Sequence, residues 1–311
     1  MITVSRSRST SSHSSGEGAA PADLLDSRLI RKLEALTFIS RKLFAGQARG
    51  DRRTPRKGHS VEFKDYRHYE PGDDIRYLDW NVLGRLDRAF LKQFVDEQDV
   101  SIHILLDASG SMKFGSPQKM AYAKRVAAAL AYVGLAGMER VALAVFTGGL
   151  HRGQGPFRGK AKIFEVLGFL HEVEPDGVTD FSGSLREYAL THKRPGIALI
   201  FSDLLDEKGI EPGIKHLLQG GHDVALIHIL APDELDPRLD GELRLIDAET
   251  GLSKEVVWDG TARRAYLRNL GRFLTQIEAF CRRMEVHYLQ VATTMPVEDL
   301  IFKSMRRMFL K

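Results

Sequence analysis

An α/β architecture, a doubly wound and mostly parallel sheet, is what this sequence predicts, and two features carry the prediction. Beyond Asp99 come five apolar, β-branched runs without polar alternation: Ile102 to Leu106, Val141 to Phe146, Ile197 to Phe201, Val224 to Leu230 and Val286 to Val291. Continuous runs of that length suit strands buried on both faces, as in a parallel sheet. Apolar residues at helical spacing fill the intervals, and strand–helix alternation over a long stretch is the signature of a wound α/β sheet. The composition agrees. With 43% hydrophobic and 28% charged residues in 311, the chain is neither disordered nor a membrane bundle.

Each element follows in order. Residues 1–22 are Ser-rich with few large apolar residues and read as a disordered tail. Residues 23–98 form an N-terminal segment. Within it Leu25, Leu29, Leu33, Leu36, Ile39 and Leu43 recur at three and four, which predicts a helix from Leu24 to Leu43. Residues 59–98 are aromatic and turn-rich, with a tight turn at Pro71-Gly72-Asp73-Asp74. Tyr66, Tyr69, Trp80 and Phe94 are expected to pack onto the α/β domain as an appended subdomain, with Trp80 buried. Residues 99–311 form the α/β domain. Met120, Val126, Leu130 and Val133 mark one helix, Ile163, Val166, Leu167 and Leu170 another. Leu267, Leu270, Phe273, Leu274, Ile277 and Cys281 mark the last long one. Leu150-His151 after two glycines predicts an antiparallel edge strand. Leu243 to Ile246 and Val256 to Trp258 around Glu249-Thr250-Gly251 predict a hairpin.

Charge and cysteine bound the setting. Lys plus Arg number 45 against 41 Asp plus Glu, a net charge of +4, so most of the charge is mixed. Only Arg41 to Gly58 is lopsided, with seven basic residues and one acid. It has no stacking aromatic or recognisable motif, so nucleic-acid binding is the weakest of the functional classes. No apolar run reaches the roughly 20 residues a membrane span needs. One cysteine, Cys281, cannot form an internal disulfide, and with no apolar leader the expectation is a cytoplasmic protein.

The chemistry gathers at strand ends. The first buried run closes in Asp107-Ala108-Ser109-Gly110-Ser111, a carboxylate and two hydroxyls at a spacing of two. The run Ile197 to Phe201 ends in Ser202-Asp203, and Thr179 lies in a loop between them, flanked by the acids Asp176 and Asp180. In open α/β sheets ligands bind at the carboxyl ends of the strands. Oxygen-only donors suit a hard divalent cation such as Mg²⁺. Ser and Asp after a strand also cap helices, which is the competing reading of these residues. Other motifs fail. Gly159-Lys160 lacks the glycine at 154 and the hydroxyl at 161 that a phosphate loop needs. No Gly-x-Gly-x-x-Gly follows a strand, and the histidines lack zinc-enzyme spacing.

Asp107-x-Ser109-x-Ser111, followed by Thr179 and Asp203, resembles the metal-ion-dependent adhesion site of von Willebrand factor A-type domains. The upstream block is more specific: Gly58-His59-Ser60-Val61-Glu62-Phe63, then Asp65 through Glu70-Pro71-Gly72-Asp73-Asp74 to Leu78-Asp79-Trp80, and on to Lys92-Gln93-Phe94. It resembles the bacterial domain-of-unknown-function 58 family. The resemblance implies a von Willebrand factor A-like domain whose Ser109, Ser111 and Thr179 hydroxyls touch Mg²⁺ (or Mn²⁺). Asp107 and Asp203 would act mostly through bound water, and a partner carboxylate would complete the shell. It further implies a non-enzymatic interaction module working with a MoxR-type AAA+ ATPase. A Mg²⁺-dependent hydrolase using the same aspartates is the alternative.

Overall fold

The computed structural model describes residues 2–5, 24–38, 61–70, 73–75, 78–86, 88–96 and 100–310. In chain order the elements are β1 (Ile2–Ser5), α1 (Ser27–Leu33), β2 (Val61–His68), α2 (Trp80–Leu86), β3 (Phe90–Asp96), β4 (Ser101–Asp107), α3 (Lys119–Ala136), β5 (Arg140–Phe146) and β6 (Leu150–Phe157). They continue with α4 (Ile163–His171), α5 (Phe181–Thr191), β7 (Ile197–Ser202), α6 (Glu211–Gln219), β8 (Asp223–Leu230), β9 (Gly241–Asp247), β10 (Ser253–Trp258), α7 (Gly260–Arg283) and β11 (His287–Ala292). The chain divides into two compact units, Met1–Ala48 with Val100–Lys311, and Arg49–Asp99. The N-terminal helix thus belongs with the α/β unit, not with the segment that follows it.

In the larger unit six strands run in the order β11-β8-β7-β4-β5-β6. All neighbours are parallel except β6, which pairs antiparallel with β5 as the edge strand. The five apolar runs became the five parallel strands because both faces of the sheet are covered. Ile102, Ile104 and Leu106 of β4 join one core with α1, α3 and α4. Leu105 joins the other, with Phe181 and Leu185 of α5, Ile214 of α6 and Ile277 of α7. Successive side chains of one strand feed opposite cores, which is why the runs lack a regular polar alternation.

Two differences from expectation concern the N-terminus. Asp26 caps α1, accepting from the Leu29 N–H at 2.6 Å, but the helix ends at Leu33. Leu36 and Phe38 are buried all the same, and Phe38 forms an extended bridge to Leu310. A turn in which the Leu36 amide donates to the Leu33 carbonyl, then the bridge at Phe38, replaces the last helical turns expected toward Leu43; residues 39–60 lie outside the described residues. Ile2–Ser5 is a strand rather than part of a disordered tail, pairing antiparallel with β9 in a three-stranded sheet β1-β9-β10. The backbone partners offered by β9 supply the order that composition did not. Residues 6–23 and the whole basic segment 41–58 are likewise outside the described residues.

In the smaller unit β2 and β3 pair antiparallel with a bulge between Phe63 and Asp65. Asp79 starts α2, accepting from the amides of Asn81 and Val82 and from the Tyr66 hydroxyl at 2.8 Å. Arg67 clamps Asp73 with both guanidinium nitrogens, at 2.7 and 2.5 Å, so the acidic turn is an ion-paired turn. Trp80 is 64% exposed, which corrects the expected burial. It is the buried Asp79, bound to Tyr66 and to the helix amides, that turns inward at this corner, and the following side chain stays outside.

Candidate functional site

Chain order along the sheet reverses between β4 and β7. From β4 the chain steps to β5 on one side, while β7, β8 and β11 succeed one another on the other. At such a reversal, here at the carboxyl ends of β4 and β7, open α/β sheets place their ligands. Asp107 ends β4, and Ser202-Asp203 ends β7. The two carboxylates singled out in the sequence therefore meet at the switch point.

All five sequence-predicted residues are buried. Asp107 Oδ1 accepts from the Ser109 N–H at 2.9 Å, and Oδ2 accepts from the Ser202 hydroxyl at 2.6 Å. These bonds fix the loop that presents Ser109 Oγ and Ser111 Oγ 3.1 Å apart. Ser109 begins a short 3₁₀ turn, Gly110–Lys113, without a side-chain capping bond, so the capping reading fails for it. The Thr179 loop is stitched alongside: Gly110 N–H donates to the Gly177 carbonyl at 2.8 Å, and Asp176 N–H to the Ala108 carbonyl at 2.7 Å. Thr179 Oγ1 is buried and has no hydrogen-bond partner among the described residues. The rival acids are occupied elsewhere. Asp180 caps α5, and the exposed Asp176 faces Lys113 at 3.4 Å.

The electrostatics are set by a residue the sequence reading missed. Lys119, at the start of α3, is fully buried, with Nζ 2.6 Å from Asp203 Oδ2 and 2.8 Å from Glu234 Oε1. Burial alone would raise the Asp203 carboxyl, but the charge and hydrogen bond of Lys119, with bonds from Ser111 and the Leu205 amide, hold it below the usual carboxylate range. Asp107 has no such cation. Burial first, then the charge of Asp203, pushes it up to about 7 against the bonds from Ser202 and Ser109. Burial also raises Glu234, with Lys119 opposing.

A second unforeseen acid sits at the rim. Glu249, in the turn joining β9 and β10, accepts from the Thr179 N–H at 3.1 Å through Oε2, while its Oε1 is buried without a hydrogen-bond partner among the described residues. The hairpin itself was legible, but nothing in it indicated that its tip reaches the Asp-x-Ser-x-Ser loop. Gly110 explains how the tip fits. A Cβ there would stand 2.6 Å from the Ala248 carbonyl oxygen and 3.3 Å from that of Gly177, so only glycine lets three loops meet.

No group of three or more His, Cys, Asp or Glu among the described residues is disposed to hold a metal ion. A cation here would rest instead on hydroxyl oxygens. The donor set of Ser109, Ser111 and Thr179, with Asp107 and Asp203 behind them, has the oxygen-only chemistry that Mg²⁺ or Mn²⁺ takes.

The chain belongs to the family described as "Protein of unknown function DUF58", which matches residues 65–272. It is similar to uncharacterised proteins of Mycobacterium bovis and Mycobacterium tuberculosis, each 25% identical over 251 residues and covering 79% of both chains. Among solved structures it is similar to the conserved hypothetical protein BatB of Bacteroides thetaiotaomicron, with 16% identity and a TM-score of 0.43 over 67% of this chain and 98% of that one. An aerotolerance-related membrane protein of Bacteroides fragilis matches with 17% identity and a TM-score of 0.39, over 62% of this chain and 91% of that one. An uncharacterised membrane-spanning protein of Vibrio fischeri matches with 14% identity and a TM-score of 0.24, over 67% and 98%. The expectation of a cytoplasmic protein is corrected here, because these neighbours include proteins described as membrane proteins. A single buried cysteine constrains disulfide chemistry and does not tell a cytoplasmic chain from a membrane-associated one. Among the described residues no helix is long and apolar enough to cross a membrane.

Proposed function

We propose that this chain is a metal-dependent protein–protein interaction module of the von Willebrand factor A type, serving as adaptor or chaperone-like partner of a MoxR-type AAA+ ATPase. Ser109, Ser111 and Thr179 would hold Mg²⁺ or Mn²⁺ through hydroxyls, with Asp107 and Asp203 behind them. A cation so held keeps much of its charge and attracts an acidic residue of a partner protein. The observation that carries the reading is the Thr179 hydroxyl, buried without a partner beside two further buried hydroxyls. A buried polar group left unpaired is costly, and an oxygen-ligated cation would satisfy it.

Binding is favoured over hydrolysis because the site's acids already have structural work. Asp107 is held by Ser202 and Ser109, and Asp203 by Lys119. The ATPase as partner rests on the resemblance of the Gly58 to Trp80 block alone. Calorimetric titration with Mg²⁺ tests the site: the native chain binds, and Ser109→Ala, which changes no charge, does not while keeping its circular dichroism. The partner is tested by retention of a MoxR-type ATPase with Mg²⁺ and its release by chelator. Equal Mg²⁺ binding by the native chain and Ser109→Ala would overturn the site assignment.

A further inference from the structure

The hairpin β9–β10 carries its tip into the crevice, and the tip is rigid. Asp247 Oδ1 accepts from the amides of Glu249 at 2.9 Å and Thr250 at 2.7 Å, while Gly251 takes a φ of +70° that closes the turn. This fixes the backbone of Glu249 independently of its side chain. The side chain then meets the site at two points. One oxygen accepts from the Thr179 amide; the other is buried with no hydrogen-bond partner. The Ala248 carbonyl fills the space that a side chain at Gly110 would need, so the tip is seated on the Asp-x-Ser-x-Ser loop itself. Besides the Thr179 amide, the Ser109 hydroxyl and the charge of Asp203 act on the Glu249 carboxyl, and all three neighbours belong to the proposed metal site.

We propose that Glu249 is a built-in carboxylate ligand of that site, so the hairpin caps it and a partner's acidic residue must displace Glu249 to engage. The inference rests on the metal-site reading above and adds its regulation. Two observations support it independently of each other. The Thr179 hydroxyl and Glu249 Oε1 are both buried orphans on the same loop contact, and a cation shared between them would satisfy both.

The test uses Mn²⁺ as probe on the full chain, with affinity read by electron paramagnetic resonance and bound water by proton relaxation. Native protein, Glu249→Gln and Ser109→Ala are compared, with circular dichroism as the folding control. Glutamine can still accept from the Thr179 amide, so it keeps the latch and removes the charge. We expect Ser109→Ala to lose Mn²⁺ binding and Glu249→Gln to weaken it about tenfold or more. Relaxation per bound Mn²⁺ should rise in Glu249→Gln as water replaces the carboxylate, and added acetate should reverse that rise there but do nothing to the native chain. Unchanged affinity and relaxation in Glu249→Gln, with binding lost in Ser109→Ala, would overturn the cap and leave the metal site standing. No Mn²⁺ binding by the native chain would overturn both.

Discussion

Lys119→Met is the sharpest perturbation that the structure offers. Methionine keeps most of the lysine stem's volume, so the change removes the charge and the bonds to Asp203 and Glu234 but little packing. What remains are the Asp203 and Glu234 carboxyls, both buried, that had shared the ammonium at 2.6 and 2.8 Å. Removing one partner from a buried ion pair typically costs about 3–5 kcal/mol, because the surviving charge is left uncompensated. Glu234 limits the loss. Burial already pushes its carboxyl up, so it takes a proton readily once the lysine is gone, and Asp203 carries most of the penalty. For a unit of this size about 2–4 °C of melting temperature follow each kcal/mol, so the melt should fall by about 10 °C at neutral pH in chelator. The sign with pH is fixed by Asp203, whose folded-state carboxyl is held low. Its contribution is present above the unfolded pKa and fades as pH falls through the folded one. The variant lacks that contribution, so its deficit should shrink toward acid. Differential scanning calorimetry at neutral and acidic pH measures both. A neutral-pH loss below about 1 kcal/mol would refute the claim that this lysine offsets buried charge.

Other expectations follow from single contacts. His103 is buried against Tyr188 and His222 and driven down to about 3, chiefly by burial; its stabilising neutral form is fully present above the unfolded pKa and lost as pH falls. Between pH 7 and 5 this amounts to about 2 kcal/mol, and a His103→Gln variant should show a correspondingly flatter pH–melting curve; an equally steep curve would contradict the assignment. Gly110→Ala should cost about 1–3 kcal/mol and speed hydrogen exchange at residues 177–180 and 247–251, since its methyl would meet two backbone carbonyls. Trp80→Ala should cost less than about 1 kcal/mol, because the ring is mostly exposed; a larger loss in a thermal melt would show that the ring packs in solution.

What could be read from the sequence and what could not differ in one physical respect, the range over which the signal acts. The parallel strands were legible because burial on both faces leaves its mark within each run. Asp107, Ser109 and Ser111 were legible because one loop carries all three. The end of α1 was not. Leu36 continues the helical spacing, yet it is buried beyond the last turn, in backbone leading to the bridge between Phe38 and Leu310. Lys119 reads as an ordinary helix-start lysine, and it is buried only because acids 84 and 115 residues away converge on it. Glu249 reads as a turn acid, and its role depends on an amide 70 residues back.

The placement of charge around the crevice has a direction, and this bears on what the site can recognise. Asp203 and Glu234 lie behind, tied to Lys119, and Asp107 is screened by Ser202 and the Ser109 amide. The hydroxyls of Ser109, Ser111 and Thr179 bring oxygen without formal charge. In the proposed reading, a cation held by those hydroxyls stays under-neutralised by its own ligands. The deficit would be met by a carboxylate arriving from outside that loop, and among the described residues the hairpin acid Glu249 reaches it. Serine at 109 and 111 is therefore not interchangeable with aspartate. Ser109→Asp would supply the missing charge from within, and should tighten Mn²⁺ while weakening any dependence of Mn²⁺ affinity on Glu249. Measuring the effect of Glu249→Gln in both backgrounds checks this. If the substitution weakens Mn²⁺ equally with serine or aspartate at 109, the two groups do not share the cation, and the charge argument fails.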